Sequence, residues 1–275
     1  MTDNKIRYLV FDIESVADRQ LIRDVQYPHE NFTPDEAIRH YRDELITKNN
    51  SDFIPYTYQF PISIGVAKVD ESFSLVELAM LSLPQMKPHE ITKMFWDGWQ
   101  KYRNRDPHLT LVSFNGRGFD LPLLELAAFR FGIPIPNWFA QKEKTFDQPR
   151  NRYNLKSHID ICDLMTNNGA TRFNGGLNLL AHILGKPGKM DTRGSMVQDM
   201  YDEGRYEEIA NYCRCDVLDT YFVFLRAMVI TGNLSLENEQ QLVSKSKEWL
   251  EKRIENPAYK LYLDHWGDWQ NPWEQ

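Results

Sequence analysis

Acidic side chains recur in three short stretches whose residue types and spacing suit the binding of divalent metal ions. Asp12 and Glu14 stand two residues apart in FDIES, and Asp120 lies in SFNGRGFDLPLL. Tyr212 precedes Asp216 by four residues in YCRCD. Mg²⁺ and Mn²⁺ are hard ions that prefer carboxylate oxygens and retained waters. If these side chains converge, the chemistry they support is that of bound metal ions.

The predicted secondary structure determines how these side chains are presented. Residues 6–12 are typical of a short buried strand, and side chains at i and i+2 on a strand share a face. Asp12 and Glu14 therefore point together from its end, which is electrostatically unfavourable unless a cation lies between them. Asp120 opens the next helix. Tyr212 and Asp216 are one helical turn apart, so they project from the same side of a long helix.

Each stretch taken alone also has an ordinary structural explanation. The first pair fits surface acids at a strand end, and Asp120 fits a helix N-cap. Tyr212 fits a core position and Asp216 a solvated acid. Cys213 and Cys215 suggest zinc, but a C-x-C without a partner pair is weak. On a helix the two thiols point about 200° apart.

Taken together and in this order, the three stretches resemble the motifs of the DEDD exonucleases that carry a tyrosine in the last motif, within the ribonuclease H-like superfamily. The closest resemblance is to stand-alone bacterial proteins similar to the 3′–5′ proofreading domain of family B DNA polymerases. It covers roughly residues 5–230. Each motif is short, and the ordered set is specific.

The resemblance implies a role for each matching residue. Asp12, Glu14, Asp120 and Asp216 carry over as metal ligands, and Tyr212 carries over as the residue that positions the attacking water. The phenol pKa lies near 10, so orienting the water is the expected role rather than acting as a full base. Asn115 and Phe119 match the supporting positions of the second motif, and we assign them, with Ser15, to substrate binding.

The implied activity is metal-dependent 3′–5′ exonuclease action on the 3′ end of single-stranded DNA, releasing nucleoside 5′-monophosphates. Two Mg²⁺ or Mn²⁺ ions about 4 Å apart would hold the attacking and leaving oxygens of an in-line displacement. The alternatives are a 3′–5′ exoribonuclease, since no feature reads a 2′-hydroxyl, and a catalytically silent nucleic-acid-binding or repair-assembly module. The sequence does not identify any protein partners.

Alternating strand and helix patterns predict an α/β fold: a ribonuclease H-like mixed sheet flanked by helices, with a helical and aromatic C-terminal extension. The predicted strands are residues 6–12, 60–70, 73–81, 109–114 and an edge strand at 158–161. The predicted helices are residues 88–102, 120–131, 177–184, 205–229 and 236–254.

The remaining segments are assigned from composition. Residues 22–59 contain prolines and are predicted to be an irregular surface insertion, and residues 133–157 a long loop. We expect residues 1–232 to form the exonuclease domain. A last helix and an aromatic tail, residues 233–275, are expected to pack on the same domain through tryptophans 266, 269 and 273. No attached polymerase domain is expected.

Several residues outside the motifs are secondary candidates. The loop at 142–156 is rich in basic residues with interleaved aromatics, so Arg150 and Arg152 are predicted to steer a single strand. A solvated loop is an equal alternative. His158 and Asp160 match a strand that supports the site in this family, although purely structural roles explain them equally well. Basic side chains after the 177–184 helix are alternative phosphate contacts or solvated charges: Lys186, Lys189 and Arg193.

Composition excludes several classes of protein. The 275 residues are 42% hydrophobic and 26% charged, which is typical of a globular chain rather than a disordered one. The net charge of −7 argues against a protein that coats long duplexes, because such binding needs a broad basic surface. No apolar run approaches a membrane span or a secretion signal. Three cysteines cannot form a disulfide framework, so a cytoplasmic location is expected.

Overall fold

A mixed sheet of five strands forms the centre of the molecule. The computed structural model describes residues 5–81, 86–188 and 196–274, and within these ranges the strand order is β3-β2-β1-β4-β5. The strands are β1 Ile6–Ala17, β2 Gln59–Asp70, β3 Leu75–Met80, β4 Thr110–Ser113 and β5 His158–Asp160. The predicted ribonuclease H-like α/β class and the predicted edge strand are both confirmed.

The strand directions place three strand ends side by side. β1 pairs antiparallel with β2 and parallel with β4, and β4 pairs parallel with β5. In this register Val10 lies opposite Val112, and Ser113 lies opposite Asp160. The carboxyl ends of β1, β4 and β5 therefore meet at one edge of the sheet, where the first two acidic motifs begin.

Helices cover both faces of this sheet. They are α1 Arg19–Gln26, α2 Pro34–Asn49, α3 Pro88–Arg105, α4 Asp120–Phe131, α5 Pro136–Phe139, α6 Ile161–Thr166, α7 Gly176–Ile183, α8 Val197–Asp202, α9 Tyr206–Ile230, α10 Leu236–Glu251 and α11 Pro257–Asp264. Short 3₁₀ turns lie at Tyr56–Tyr58, Thr145–Asp147 and Pro272–Glu274. None of the helices in the described parts of the chain is long and apolar enough to cross a membrane.

Alternate residues of β1 contribute to two separate cores. Leu9, Phe11 and Ile13 belong to a cluster that includes side chains of α3, α4 and α8. Val10, on the opposite face, belongs with Val112 to a second cluster that includes side chains of α9, α10 and α11. Because strand side chains alternate, Asp12 and Glu14 continue the Val10 face toward α9.

The segment predicted as an irregular insertion is instead ordered, and that prediction is wrong. Thr33 and Glu36 form a capping box at the start of α2, and Pro34 occupies the first turn, where a missing N–H costs nothing. Ile22 of α1 and Ile54 pack with α2 in a third small cluster. Pro34, one of the prolines that suggest irregular structure, marks a helix start.

Short helices also lie in segments that were expected to be loop or tail. The 133–157 stretch contains α5, and α11 begins at Pro257 behind an Asn256 cap. Two further helices, α6 and α8, were not predicted. Both are only six residues long, too short to show a helical hydrophobic period.

Candidate active site

Helix α9 crosses the end of β1 at the position of the first acidic motif. The Cys213 thiol lies 3.5 Å from the backbone oxygen of Asp12. Ligand atoms of Asp12, Glu14 and Cys213 lie within 4.8 Å of one another. In the described ranges no other group of three or more His, Cys, Asp or Glu side chains meets that distance. The first and third motifs, 201 residues apart in the chain, therefore meet in space.

A glycine in β2 allows this close approach. Gly65 pairs with Asp12 across the sheet. A Cβ atom at Gly65 would come within 2.7 Å of Val217 and 3.4 Å of the Cys213 sulfur, both on α9. The absent side chain is thus what lets the helix reach the strand end. Sequence reasoning missed this residue, although an isolated glycine inside a strand pattern signals close backbone approach.

The charges of the acidic residues act together on the hydroxyl group of Tyr212. Burial raises the pKa of its hydroxyl, and the charges of Asp216, Glu14 and Asp12 raise that pKa further. The hydroxyl also forms a hydrogen bond with the Asp216 carboxylate. Tyr212 therefore stays protonated, and its role in orienting the attacking water stays a prediction.

The two cysteines of α9 do not share a site. Burial and the charges of Asp12 and Glu14 raise the pKa of Cys213 well above its ordinary value, so its sulfur stays a neutral thiol. Cys215 points toward the other side of the helix, where its sulfur lies 3.9 Å from the backbone oxygen of Ala258. This arrangement agrees with the low weight that the sequence gives to a zinc site.

The second motif lies on the turn that follows β4, and the last residue of β5 holds that turn. The Asp160 carboxylate is buried and accepts hydrogen bonds from the backbone N–H groups of Asn115 and Arg117, both at 2.8 Å. It also accepts one from the N–H of Cys162 at 3.0 Å. Asn115 has a positive φ of 62°, a backbone conformation that is uncommon for residues other than glycine, and these hydrogen bonds stabilise it. Asp160 thus fixes the path of the chain into Asp120.

Asp120 is the first residue of α4 and is buried. Burial raises its pKa to about 7, and the charge of Asp160 contributes to the increase. Asp120 follows β4, the strand that pairs in parallel with β1. It does not belong to the group of Asp12, Glu14 and Cys213, whose ligand atoms lie within 4.8 Å of one another. The structure therefore brings Asp12 and Glu14 together directly, and it sets Asp120 on the adjacent turn.

His158 supports the same turn from β5. Its ring is fully buried, and Nε2 lies 2.8 Å from the hydroxyl of Ser113, the last residue of β4. Burial lowers the pKa of His158 well below its ordinary value, so the ring is neutral. Of the two explanations left open for His158 and Asp160, the contacts favour support of the second motif.

Comparison with known proteins identifies the family. Residues 51–266 match the model of a family described as predicted 3′–5′ exonucleases related to the exonuclease domain of PolB. The chain belongs to this family. The matched segment includes Asp120, Tyr212 and Asp216 and begins after β1. Asp12 and Glu14 are thus connected to the motif set by the geometry of β1 and α9.

A solved polymerase has a similar fold. The family B DNA polymerase from the hyperthermophilic archaeon Pyrobaculum calidifontis matches 82% of the chain with a TM-score of 0.50 and 12% sequence identity. The chain spans 24% of that polymerase, so the similarity concerns about a quarter of its length. No curated protein matches the chain.

The donor set of this exonuclease chain fits a divalent metal. Asp12 and Glu14 offer hard oxygen ligands from one strand face, and the neighbouring Cys213 is a neutral thiol, a poor ligand for Mg²⁺ or Mn²⁺. The charges of Asp12, Glu14 and Asp216 act together on Tyr212 and Cys213. Such a concentration of negative charge favours a cation.

Two of the predicted substrate-binding residues lie beside the motifs. The Ser15 hydroxyl donates to Oε1 of Gln59 at 2.6 Å, directly after Glu14. The Phe119 ring, directly before Asp120, lies 5.7 Å from the ring of Phe53. Their roles in substrate binding stay predictions.

The predicted arginines of the basic loop have partners within the protein. Arg150 forms a two-pronged ion pair with Glu125 at 2.8 and 2.9 Å and stacks over Phe139. Arg152 donates to the backbone oxygen of Asn168 at 3.2 Å. Both arginine side chains are about half exposed, and their steering of a single strand stays a prediction.

Lys186 is engaged in packing the C-terminal tail. Its ammonium lies 3.8 Å from the centre of the Trp266 ring and donates to the backbone oxygen of Gly267 at 3.0 Å. Burial lowers its pKa to about 8. The lysine therefore fixes the tail rather than facing a phosphate. The other two basic candidates, Lys189 and Arg193, lie outside the described residues.

The tryptophans of the tail divide into two groups. Trp266 and Trp269 pack against the second core cluster, and Arg226 stacks on Trp269 at 4.1 Å. Trp273 is 83% exposed. The expected packing of the tail thus involves the first two tryptophans.

Proposed function

We propose that the chain removes nucleoside 5′-monophosphates from the 3′ end of single-stranded DNA by hydrolysis that depends on two divalent metal ions. The observation that carries this proposal is the meeting of Asp12 and Glu14 with the α9 turn that bears Tyr212 and Asp216. Membership in the exonuclease family supports the same reaction.

Each residue has a distinct part in the proposed reaction. Asp12, Glu14, Asp120 and Asp216 would hold Mg²⁺ or Mn²⁺. When bound, the two ions would position the attacking and leaving oxygens and offset the charge that develops on the phosphate. Tyr212, kept protonated by its surroundings, would orient the attacking water through a hydrogen bond.

The residues around the second motif would prepare that side of the site. Asp160 holds the backbone N–H groups of Asn115 and Arg117 and thereby sets the start of α4. Metal binding would favour the ionised form of Asp120, opposing the effect of burial on its pKa. Positioning and electrostatic stabilisation supply most of the catalysis in phosphoryl transfer.

The domain arrangement and location belong to the same proposal. Residues 1–232 would carry the active site, and α10 and α11, which pack on α9, would stabilise its far end. All three cysteines are unpaired, which agrees with a reducing cytoplasm.

A degradation assay tests the proposed function. Single-stranded DNA and RNA of equal sequence, labelled at the 5′ end, are incubated with the protein and Mn²⁺, Mg²⁺ or EDTA. We expect the DNA to shorten from its 3′ end in either metal, with release of 5′-mononucleotides and no reaction in EDTA. Asp12→Asn should be inactive, and Asp264→Asn, on the exposed end of α11, should match wild type.

Two results would contradict the proposal. Full activity in excess EDTA would exclude a metal-dependent reaction. Degradation of RNA with no degradation of DNA would replace the proposed substrate with the exoribonuclease alternative.

A further inference from the structure

An exposed phenylalanine lies in the segment that joins α2 to β2, close to the second motif. The side chain of Phe53 is 60% exposed. Its ring centre lies 5.7 Å from that of Phe119, and the two planes are inclined by 54°. Since Phe119 directly precedes Asp120, the exposed ring stands beside the start of α4.

The segment around Phe53 is fixed to the end of β1. The next residue, Ile54, is buried in the cluster formed with α1 and α2. The Gln59 side chain donates to the backbone oxygen of Ile54 and accepts from the Ser15 hydroxyl at 2.6 Å. Ser15 directly follows Glu14, so this chain of hydrogen bonds ties the segment to the first motif.

These contacts connect Phe53 to both sides of the acidic site. One connection runs through Gln59 and Ser15 to Glu14, and the other runs through Phe119 to Asp120. The ring is exposed while its neighbour is anchored, so its position is set without its surface being covered. An exposed aromatic face held beside a phosphodiester-cleaving site is suited to stacking on a nucleobase.

We propose that Phe53, together with Phe119, binds the base of the 3′-terminal nucleotide by stacking; this inference rests on the proposed function. A phenyl ring makes no hydrogen bond to the base, so it accepts all four bases alike. That tolerance is what an enzyme needs if it removes nucleotides in succession regardless of sequence. The segment that joins α2 to β2 would then contribute directly to substrate binding.

A binding experiment without catalysis tests this subsite. Fluorescence anisotropy with Ca²⁺ in place of Mn²⁺ measures the affinity for a single-stranded oligonucleotide with an intact or an abasic 3′-terminal nucleotide. From the usual strength of base–aromatic stacking, we expect Phe53→Ala to weaken binding of the intact strand roughly tenfold to a hundredfold. Phe53→Trp should retain the affinity. Phe129→Ala, which alters a ring that is 85% exposed on α4, is the matched control and should bind like wild type.

The abasic strand makes the test specific. Wild type should bind the abasic strand more weakly than the intact strand, and Phe53→Ala should show little difference between the two. Equal affinity of wild type and Phe53→Ala for the intact strand would overturn the subsite, and so would an unchanged abasic penalty in the variant. Because binding is measured without turnover, a failed degradation assay would count against the proposed function and not against this result.

Discussion

Two successive turns of α9 carry acidic side chains that the fold treats in opposite ways. In the first turn, Asp216 adds its charge to those of Asp12 and Glu14, and all three charges act on Tyr212. In the next turn, Asp219 is buried and accepts a hydrogen bond of 2.7 Å from the hydroxyl of Tyr262. Negative charge from three acids is therefore concentrated around Tyr212, whereas Asp219 receives a hydrogen bond from a tyrosine of the protein.

The difference shows what determines the role of a carboxylate on this helix. At Asp219, burial raises the pKa to about 7, so the carboxyl group is partly protonated near neutral pH. Around Asp216 the neighbouring acids are Asp12 and Glu14 of β1, and the joint negative charge of the three groups favours a cation. Asp216 is therefore the acid of α9 that we propose for catalysis, and Asp219 helps to hold α11 in place.

The largest expected effect is the loss of turnover in Asp216→Ala. Removing a metal-holding carboxylate should lower the single-turnover rate on single-stranded DNA by several orders of magnitude, because metal placement and transition-state charge both depend on it. Glu207→Ala, on an exposed position of the same helix, is the matched control and should cleave at the wild-type rate. Near-normal cleavage by Asp216→Ala would show that Asp216 does not hold a catalytic metal ion.

A smaller loss is expected for Tyr212→Phe. This change keeps the ring and removes only the hydroxyl that would orient the water, so the rate should fall by roughly 10²–10⁴. Affinity for Mn²⁺ should stay near that of wild type, as measured by calorimetry. If the variant binds Mn²⁺ as poorly as Asp216→Ala does, the tyrosine has a metal-binding role instead.

Removal of the hydroxyl that donates to Asp219, in Tyr262→Phe, should affect stability rather than chemistry. Loss of the phenol leaves the buried Asp219 carboxylate without that donor, which should cost about 1–3 kcal/mol in the free energy of unfolding. Urea denaturation measures the loss, and the rate per folded molecule should not change. Tyr153→Phe, at a residue that is 59% exposed, serves as the control with unchanged stability. A large loss of rate in folded Tyr262→Phe would show that the two turns are coupled.

The smallest effect concerns pH. Burial raises the pKa of Asp219 in the folded protein to about 7, above its ordinary value of 3.8. The folded state therefore retains a proton that the unfolded chain has lost, so this group lowers stability as pH rises from about 4 to about 7. Between pH 6 and 8 its contribution to the metal-free free energy of unfolding should fall by about 1 kcal/mol.

Asp219→Asn isolates this contribution. The amide does not titrate, so urea denaturation in EDTA should show a shallower decline of stability with pH than in wild type. Identical pH profiles for the two proteins would mean that Asp219 is ionised in the folded state throughout this range.

Local sequence patterns were enough to predict the elements that carry the acids. The apolar run of β1 and the helical period of α9 are set by burial on known faces, so the sharing of faces by Asp12 with Glu14 and by Tyr212 with Asp216 could be foreseen. The order of the motifs then supplied the family.

Contacts between distant segments could not be predicted in the same way. The proximity of Phe53 and Phe119 depends on how α1 and α2 pack, and the prolines of residues 22–59 favour irregular structure over those helices. Likewise, the partner of Asp219 lies 43 residues away in α11. No periodic pattern encodes such pairings, since they arise only when separate elements meet.

Calorimetric titration with Mn²⁺ tests most directly whether Asp12 and Glu14 of β1 and Asp216 of α9 form one metal site. Wild type, Asp12→Asn, Asp216→Asn and Asp219→Asn are compared at the same pH. We predict that wild type and Asp219→Asn bind Mn²⁺ alike, while Asp12→Asn and Asp216→Asn each bind much more weakly. Equal binding by Asp216→Asn and wild type, or equal loss in Asp216→Asn and Asp219→Asn, would contradict the assignment of the site.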